Sequence, residues 1–268
     1  MNEGATVLVV RPRAQALAWV AELDAIGVAA RALPLIDILP APRPGDVEAV
    51  LARLEVSGDA RDDTAPMLVF VSPNAVLGFF AAAAQARGVH VSTLTWPAQA
   101  WAAATGPGTV AALRECGVPA DRIAAPPADS PQFDSEALWA GIAGWHWPAR
   151  PVWIVRGNGG RDWLGQQLRG AGADVRVVQS YGRAAPALSD DERALLAAAL
   201  SDPARWVWIF SSSEAIDHLE TLAAGADWRA GRALASHPRI AERAVALGFG
   251  AVDVIAPAPA AVAAALAR

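Results

Sequence analysis

The chain has 268 residues, 54% of them apolar and 18% charged, with a net charge of −5 and a mean hydropathy of +0.27. This composition indicates a globular protein long enough for two domains, and the negative charge argues against general nucleic-acid binding. All 22 basic residues are arginine, which excludes a Schiff-base or Walker lysine, and the single cysteine excludes an internal disulfide.

The first elements form a strand, a turn, a helix and a second strand. An apolar strand is predicted over residues 7–10, and Arg11-Pro12 ends it. Apolar residues then follow at helical spacing, up to a glycine at position 27 that stops the helix before a strand at 28–33. The next segment, LIDILPAP, is surrounded by prolines and is expected to be an extended linker.

The same alternation continues to the end of the chain. Further strands are predicted at 67–71, 99–105, 122–125, 152–155, 175–179, 206–210, 233–236 and 252–256. Helices are predicted at 46–56, 75–86, 110–116, 135–142, 162–169, 189–200, 214–223, 240–247 and 259–266. Roughly ten strands alternating with ten helices predict an α/β protein of two five-stranded, doubly wound parallel-sheet domains.

An internal repeat supports this division into two similar halves. With an offset of 145 residues, Val10-Arg11 falls on Val155-Arg156, and Gly27 falls on Gly172. FVSPNAV at 70–76 is similar to FSSSEAI at 210–216, and TGPGTVAALRECG at 105–117 is similar to SHPRIAERAVALG at 236–248. Three elements that recur in one order indicate two copies of one unit.

The turns that follow these strands are the candidate binding sites. Ligands of open parallel sheets bind at the carboxyl ends of strands, where helix N-termini present free N–H groups to anions. Such turns are predicted at 11–13, 72–74, 105–109, 157–161, 211–213 and 236–238. The alternative for each turn is ordinary helix capping. The four histidines share no metal-ligand spacing, no G-x-S-x-G motif is present, and Trp145 and Trp147 are possible stacking residues.

Several of these motifs together resemble one enzyme family. FVSPNAV, TGPGTVAALRECG, the Arg11-Pro12 opening and the strand that leads to Tyr181 are similar, in order and spacing, to uroporphyrinogen-III synthases. The resemblance runs from about residue 7 to about residue 266. In the first of these turns the family often has Thr before Ser, whereas this chain has Val71.

The resemblance implies two flavodoxin-like lobes joined by a two-segment β linker, and a cofactor-free reaction. Residues 1–37 and 183–268 would form a discontinuous first lobe, and residues 38–182 the second. The reaction would close linear hydroxymethylbilane to uroporphyrinogen III, with loss of water and inversion of the D ring. No cofactor and no metal are expected.

The family's site residues transfer to matching positions of this chain. Tyr181, the only tyrosine, would assist loss of hydroxide, or would be a packed linker residue. The substrate carries eight carboxylates, and the candidates to bind it are Arg11, Ser72, Asn74, Thr105, Gly106, Thr109, Arg156, Ser211, Ser212, Ser213 and Ser236.

A second hypothesis is a non-catalytic bilobal sensor that binds a small acidic metabolite. Under either hypothesis we expect a cytoplasmic monomer that contacts neither nucleic acid nor membrane. The enzyme could also contact the preceding pathway enzyme transiently, because its substrate is unstable.

Overall fold

A computed structural model describes residues 5–56 and 64–267. The segment 57–66, between the helix predicted at 46–56 and the strand predicted at 67–71, is expected from its sequence to be a polar loop, and most of it lies outside the described residues. The chain divides into two compact units. Unit 1 consists of Met1–Asp37 and Ala184–Arg268, and unit 2 is Ile38–Arg183.

The described residues form twelve strands and ten α-helices. The strands are β1 (Thr6–Val9), β2 (Ala30–Ala32), β3 (Asp37–Pro40), β4 (Met67–Phe70), β5 (Trp101–Ala104), β6 (Ile123–Ala124), β7 (Pro151–Arg156), β8 (Asp174–Gln179), β9 (Tyr181–Ala184), β10 (Trp206–Phe210), β11 (Arg232–Ala235) and β12 (Ala251–Val254). The helices are α1 (Arg13–Ala25), α2 (Pro44–Val56), α3 (Pro73–Arg87), α4 (Pro107–Glu115), α5 (Ser135–Ile142), α6 (Trp163–Gly170), α7 (Asp190–Ser201), α8 (Ser213–Leu222), α9 (Pro238–Leu247) and α10 (Pro259–Leu266).

Unit 1 is a parallel sheet with helices on both faces. Its strand order is β12-β11-β10-β1-β2. Side chains alternate between the two faces of each strand, so Val7 and Val9 pack with α1 and α10, whereas Leu8 packs in the core that contains residues of α7, α8 and α9. The inner strand β1 is therefore apolar and buried from Val7 to Val9, as is typical of a parallel strand covered on both faces.

Unit 2 repeats this plan with the order β6-β5-β4-β7-β8, all strands again parallel. One core lies beneath α2, α3 and α4 and contains Phe70 and Phe79, whose rings meet edge to face at 5.6 Å. The opposite core contains Met67, Val69 and residues of α5 and α6. Both faces of β4 are thus buried.

The two sheets have the same strand order when the strands of unit 2 are counted from β7. In that count β7 corresponds to β1, β8 to β2, and β4, β5 and β6 to β10, β11 and β12. Both sheets then read 2-1-3-4-5, the flavodoxin-like order. Strands β3 and β9 form a separate two-stranded sheet at the points where the chain passes from one unit to the other. The predicted fold class is confirmed, and the 145-residue repeat is the pair β1–β2 and β7–β8.

Candidate functional site

Tyr181 lies at the topological switch point of the sheet of unit 2. From β4 the chain builds the sheet outward through β5 and β6, and it then returns to place β7 on the other side of β4. Ligands of doubly wound sheets bind at such a reversal, beyond the carboxyl ends of the two strands. Tyr181 contacts the residues that follow both strands, Ser72 after β4 and Gly157 after β7.

The phenol of Tyr181 is fixed by these two contacts. Its hydroxyl lies 3.3 Å from Ser72 Oγ, and either oxygen can be the donor. A Cβ atom on Gly157 would lie 2.8 to 3.1 Å from Cζ and both Cε atoms of the ring, so only glycine allows the ring this close to the backbone. Tyr181 is 4% exposed, so the atoms packed around it restrict its movement, and its hydroxyl has a defined position at the end of the strands.

Ser72 is also the N-cap of α3. Its Oγ accepts a hydrogen bond from the backbone N–H of Ala75 at 3.2 Å, as an N-cap serine does. The capping role and the contact with Tyr181 therefore coexist in one side chain. Asn74 lies half-buried in the first turn of the same helix.

The backbone before Tyr181 is held by groups that the sequence did not single out. Ser180 is fully buried, and its Oγ donates to the carbonyl oxygen of Ala75 at 2.9 Å. A Cβ on Gly78 of α3 would lie 2.3 Å from the carbonyl oxygen of Ser180, so α3 and this segment touch backbone to backbone. Gln179 Nε2 donates to the Tyr181 carbonyl oxygen at 3.1 Å.

The turn after β7 also contacts the residues that follow Tyr181. The side-chain amide of Asn158 makes hydrogen bonds with both the N–H and the C=O of Arg183. Arg156, a predicted substrate ligand, is half-buried and donates from Nη1 to the carbonyl oxygen of Gly160 at 3.4 Å. The GNGG sequence could have suggested a close contact here, because its glycines permit close approach, but it could not name the partner.

The turn after β5 lies beside the turn that contains Ser72. Thr105 Oγ1 donates to the carbonyl oxygen of Val71 at 3.3 Å, so this hydroxyl links the two turns. Gly106 is the N-cap of α4, and its Cα lies against Phe133. Thr109 is 3% exposed within α4, which places its hydroxyl in the interior. Of these three predicted ligands, only Thr105 and Gly106 lie at the turn itself.

In unit 1 the predicted residues lie at the carboxyl ends of β10 and β11. Ser211 follows β10, Ser212 caps α8 by accepting from the N–H of Glu214 at 3.2 Å, and Ser213 is the first residue of that helix. The N–H of Ser236 bonds the carbonyl oxygen of Phe210, which joins the two turns. Next to it, His237 caps α9, because its Nδ1 accepts from the N–H of Arg239 at 3.2 Å, which is the capping alternative expected for this turn.

Arg11 follows β1 in the same unit. Its guanidinium lies 4.1 Å from the centre of the Trp19 ring, a cation–π contact. Burial lowers the pKa of Arg11 to about 10, and the nearby Glu22 opposes this change, so the guanidinium is charged at neutral pH. Its buried Nε has no hydrogen-bond partner within residues 5–56 and 64–267.

The two tryptophans considered as stacking residues belong to an aromatic cluster of unit 2. Trp147 is 2% exposed, and its ring stacks on that of Trp145 at 6.3 Å. The buried guanidinium of Arg150 lies over both rings and donates to the Ala65 carbonyl oxygen at 2.7 Å. These contacts give both side chains a packing role.

The described part of the chain has neither a metal-binding group of side chains nor a membrane-spanning helix. Within residues 5–56 and 64–267, no three His, Cys, Asp or Glu side chains are grouped so that they could hold a metal ion. None of the described helices combines the length and the apolar character that crossing a membrane requires.

Known proteins that are similar to this chain have the fold described above and belong to the family that its motifs resemble. Two solved structures have the same fold over nearly their whole length. A mutant uroporphyrinogen III synthase from the extremely thermophilic bacterium Thermus thermophilus is 17% identical with a TM-score of 0.53, and the match covers 93% of this chain and 92% of the other. Uroporphyrinogen-III synthetase from Helicobacter pylori is 13% identical with a TM-score of 0.55, over 98% and 99% of the two chains. The family model described as uroporphyrinogen-III synthase HemD matches residues 18–264. The chain belongs to the uroporphyrinogen-III synthase family.

Proposed function

We propose that this protein cyclises hydroxymethylbilane to uroporphyrinogen III, with loss of water and inversion of the D ring, and that Tyr181 assists the loss of hydroxide. The family match favours this enzyme over the sensor hypothesis. The observation that carries the assignment of Tyr181 is its place at the switch point of unit 2, with its hydroxyl 3.3 Å from Ser72 Oγ.

The chemistry explains why a phenol suits this position. Departure of hydroxide leaves an azafulvene-type cation, and a proton donated to the departing oxygen lowers the barrier. A phenolic O–H can donate that proton while its oxygen accepts from the Ser72 hydroxyl, which stabilises the charge left on the phenol. The low exposure of the ring keeps bulk water away from this donor.

We further propose that the carboxylates of the substrate are bound at the carboxyl edge of each sheet. The candidates in unit 2 are Ser72, Asn74, Thr105, Gly106 and Arg156, and those in unit 1 are Arg11, Ser211, Ser212, Ser213 and Ser236. Helix N-termini and small side chains give a carboxylate access to backbone N–H groups, each helix dipole adding about 0.3–1 kcal/mol. The buried Thr109 is expected to contribute by packing beneath this edge.

The product isomer tests the reaction. Purified protein incubated with hydroxymethylbilane should give the type III isomer, whereas substrate alone closes to type I. Formation of type I at the uncatalysed rate would refute the proposed reaction.

Tyr181→Phe tests the proposed proton donor. We expect kcat to fall by about a hundredfold, because general acid catalysis contributes at least that much in many enzymes. Thermal unfolding should stay close to that of the unchanged protein, since the ring and its contact with Gly157 are retained. An unchanged kcat would make Tyr181 a packing residue only.

Three expectations from the sequence stay predictions. A monomer is expected, and sedimentation equilibrium of the purified protein checks it. A cytoplasmic location can be checked by cell fractionation. Contact with the preceding pathway enzyme would appear as channelling of hydroxymethylbilane in a coupled assay with excess trapping agent.

A further inference from the structure

Three consecutive residues of the turn after β7 contact β9. Gly157 lies against the ring of Tyr181, the amide of Asn158 bonds the backbone of Arg183, and the Arg183 guanidinium passes within 3.5 Å of the Cβ position of Gly159. Gly157, which contacts the phenol ring, and Asn158, which bonds the backbone of β9, are therefore adjacent in the chain. Because Gly157 and Asn158 are joined by a peptide bond, we expect a displacement of Asn158 to displace Gly157 as well.

The amide of Asn158 makes the two hydrogen bonds that a neighbouring strand would make to one residue. Oδ1 accepts from the Arg183 N–H at 2.8 Å, and Nδ2 donates to the Arg183 carbonyl oxygen at 3.0 Å. If the amide were rotated by 180°, its NH₂ group would face the Arg183 N–H and its oxygen would face the Arg183 carbonyl oxygen. The two partners therefore fix the orientation of the amide. The side chain thus extends the pairing of β9 where β9 has only β3 as a partner in its two-stranded sheet.

From this geometry we infer that Asn158 is a positioning residue, which holds the turn after β7 on β9 and thereby sets the position of the Tyr181 hydroxyl for reaction. Asn158 acts through Gly157, which contacts the phenol ring. Ser72 lies within hydrogen-bonding distance of the phenol hydroxyl. Asn158 is itself exposed, so it has no part in the core that would explain its two hydrogen bonds. The inference rests on the proposed role of Tyr181.

Two substitutions separate hydrogen bonding from volume. Asn158→Ala removes both bonds. Asn158→Asp keeps nearly the same volume and the acceptor for the Arg183 N–H, but it places an oxygen against the Arg183 carbonyl. We expect both variants to lower kcat by about tenfold, with KM changed little, because small displacements of a catalytic group are costly. Gln166→Ala, an exposed change on the neighbouring helix α6, is the control and should leave kcat unchanged.

The single tyrosine gives a readout that is independent of turnover. Protein labelled with ¹³C at the tyrosine Cζ has one such resonance, because Tyr181 is the only tyrosine. Asn158→Ala and Asn158→Asp should shift or broaden it, and Gln166→Ala should not. An unshifted resonance in both Asn158 variants would overturn the inference.

A double substitution separates this inference from the proposed role of Tyr181. If Asn158 acts through the phenol, Asn158→Ala should lower kcat much less in the Tyr181→Phe background than in the unchanged protein. An equal loss in both backgrounds would overturn the positioning role. Full activity of Tyr181→Phe alone would refute the proposed proton donor, whereas the resonance would still decide whether Asn158 holds the ring.

Discussion

Gly157 packs against the ring of Tyr181, and this contact leaves no room for a side chain at position 157. The Cβ of an alanine would lie 2.8 Å from Cζ of the tyrosine, and the ring, itself 4% exposed, has little space to retreat. We expect Gly157→Ala to lower the free energy of unfolding by about 1–3 kcal/mol, as overpacking does, and to lower kcat by displacing the hydroxyl from Ser72. Denaturant unfolding and steady-state kinetics measure the two effects.

A second glycine supplies the matched control. Gly141 lies in α5, and nothing stands within 4 Å of the Cβ that an alanine would add there. Gly141→Ala should therefore stabilise the protein by about 0.5–1 kcal/mol, because alanine restricts the unfolded chain without strain in the folded one. Equal effects of the two substitutions would show that the contact with Tyr181 does not constrain Gly157.

The positions of Ser72 and Thr105 in turns after strands could be predicted from the sequence because the turn pattern is local, whereas their partners Tyr181 and Val71 lie 109 and 34 positions away. Each follows an apolar strand and precedes a helix, and such a turn has the same form in any doubly wound sheet. The contacts of Gly78 with Ser180 and of Asn158 with Arg183 join residues 102 and 25 positions apart, as their numbers show, so no local pattern signals them. The burial of Thr109 likewise depends on packing that the turn sequence does not reveal.

The N-terminus of helix α7 has a capping box, and one residue of this box also contacts the other chain segment of unit 1. Ser189 and Glu192 form a capping box, for which the sequence has the Ser-x-x-Glu pattern at the start of the helix predicted at 189–200. Glu192 also forms an ion pair with Arg13, at the start of α1: Nη2 of Arg13 donates to Oε2 at 3.2 Å, and Nη1 lies 2.8 Å from Oε1. Four consecutive residues were enough to recognise the capping box in the sequence. The ion pair with Arg13 could not be recognised there, because Arg13 lies in the other chain segment of the unit.

This cap makes the stability of unit 1 dependent on pH. The hydrogen bond from Arg13, followed by that from the backbone N–H of Ser189, lowers the pKa of Glu192 below its ordinary value of 4.5. The stabilisation is therefore complete above about pH 4.5 and is lost as the pH falls through the lowered pKa. Glu192→Gln should cost about 1–2 kcal/mol at pH 7, and the difference from the unchanged protein should narrow at pH 3.

Thermal unfolding at the two pH values measures this difference. Glu242→Gln, an exposed change on α9, is the control and should alter stability by less than about 0.5 kcal/mol at either pH. A cost for Glu192→Gln that is the same at pH 3 as at pH 7 would contradict the assigned ion pair, since only the charged form of Glu192 is stabilised by Arg13.

The two sheets of the molecule have the same strand order, but the chain enters them at different strands. Unit 2 is entered at β4, whereas unit 1 is entered at β1 and then left until β10. The repeat and the strand count predicted two sheets of five strands, because periodicity reports strands and helices. Neither predicted which strand stands next to which, because that depends on long-range pairing such as Met67 beside Val152.

The different entry points predict which parts of the chain fold alone. Residues 38–183 contain all five strands of their sheet and both of its cores, so this fragment should unfold cooperatively and give a dispersed NMR spectrum. Residues 184–268 contain β10, β11 and β12 but lack β1, which pairs with β10, so that one edge of β10 would be left with unpaired backbone N–H and C=O groups. This fragment should be unfolded or aggregated.

A circular permutant restores the missing strand. Residues 184–268 joined to residues 5–37 by a flexible linker of about 12 residues contain every strand of the first sheet, and the linker only has to connect two chain ends. We expect this permutant to show a cooperative thermal transition and a dispersed spectrum, which residues 184–268 alone should lack. A native-like spectrum from residues 184–268 alone would mean that β1 is dispensable, contrary to its place between β10 and β2 in the sheet.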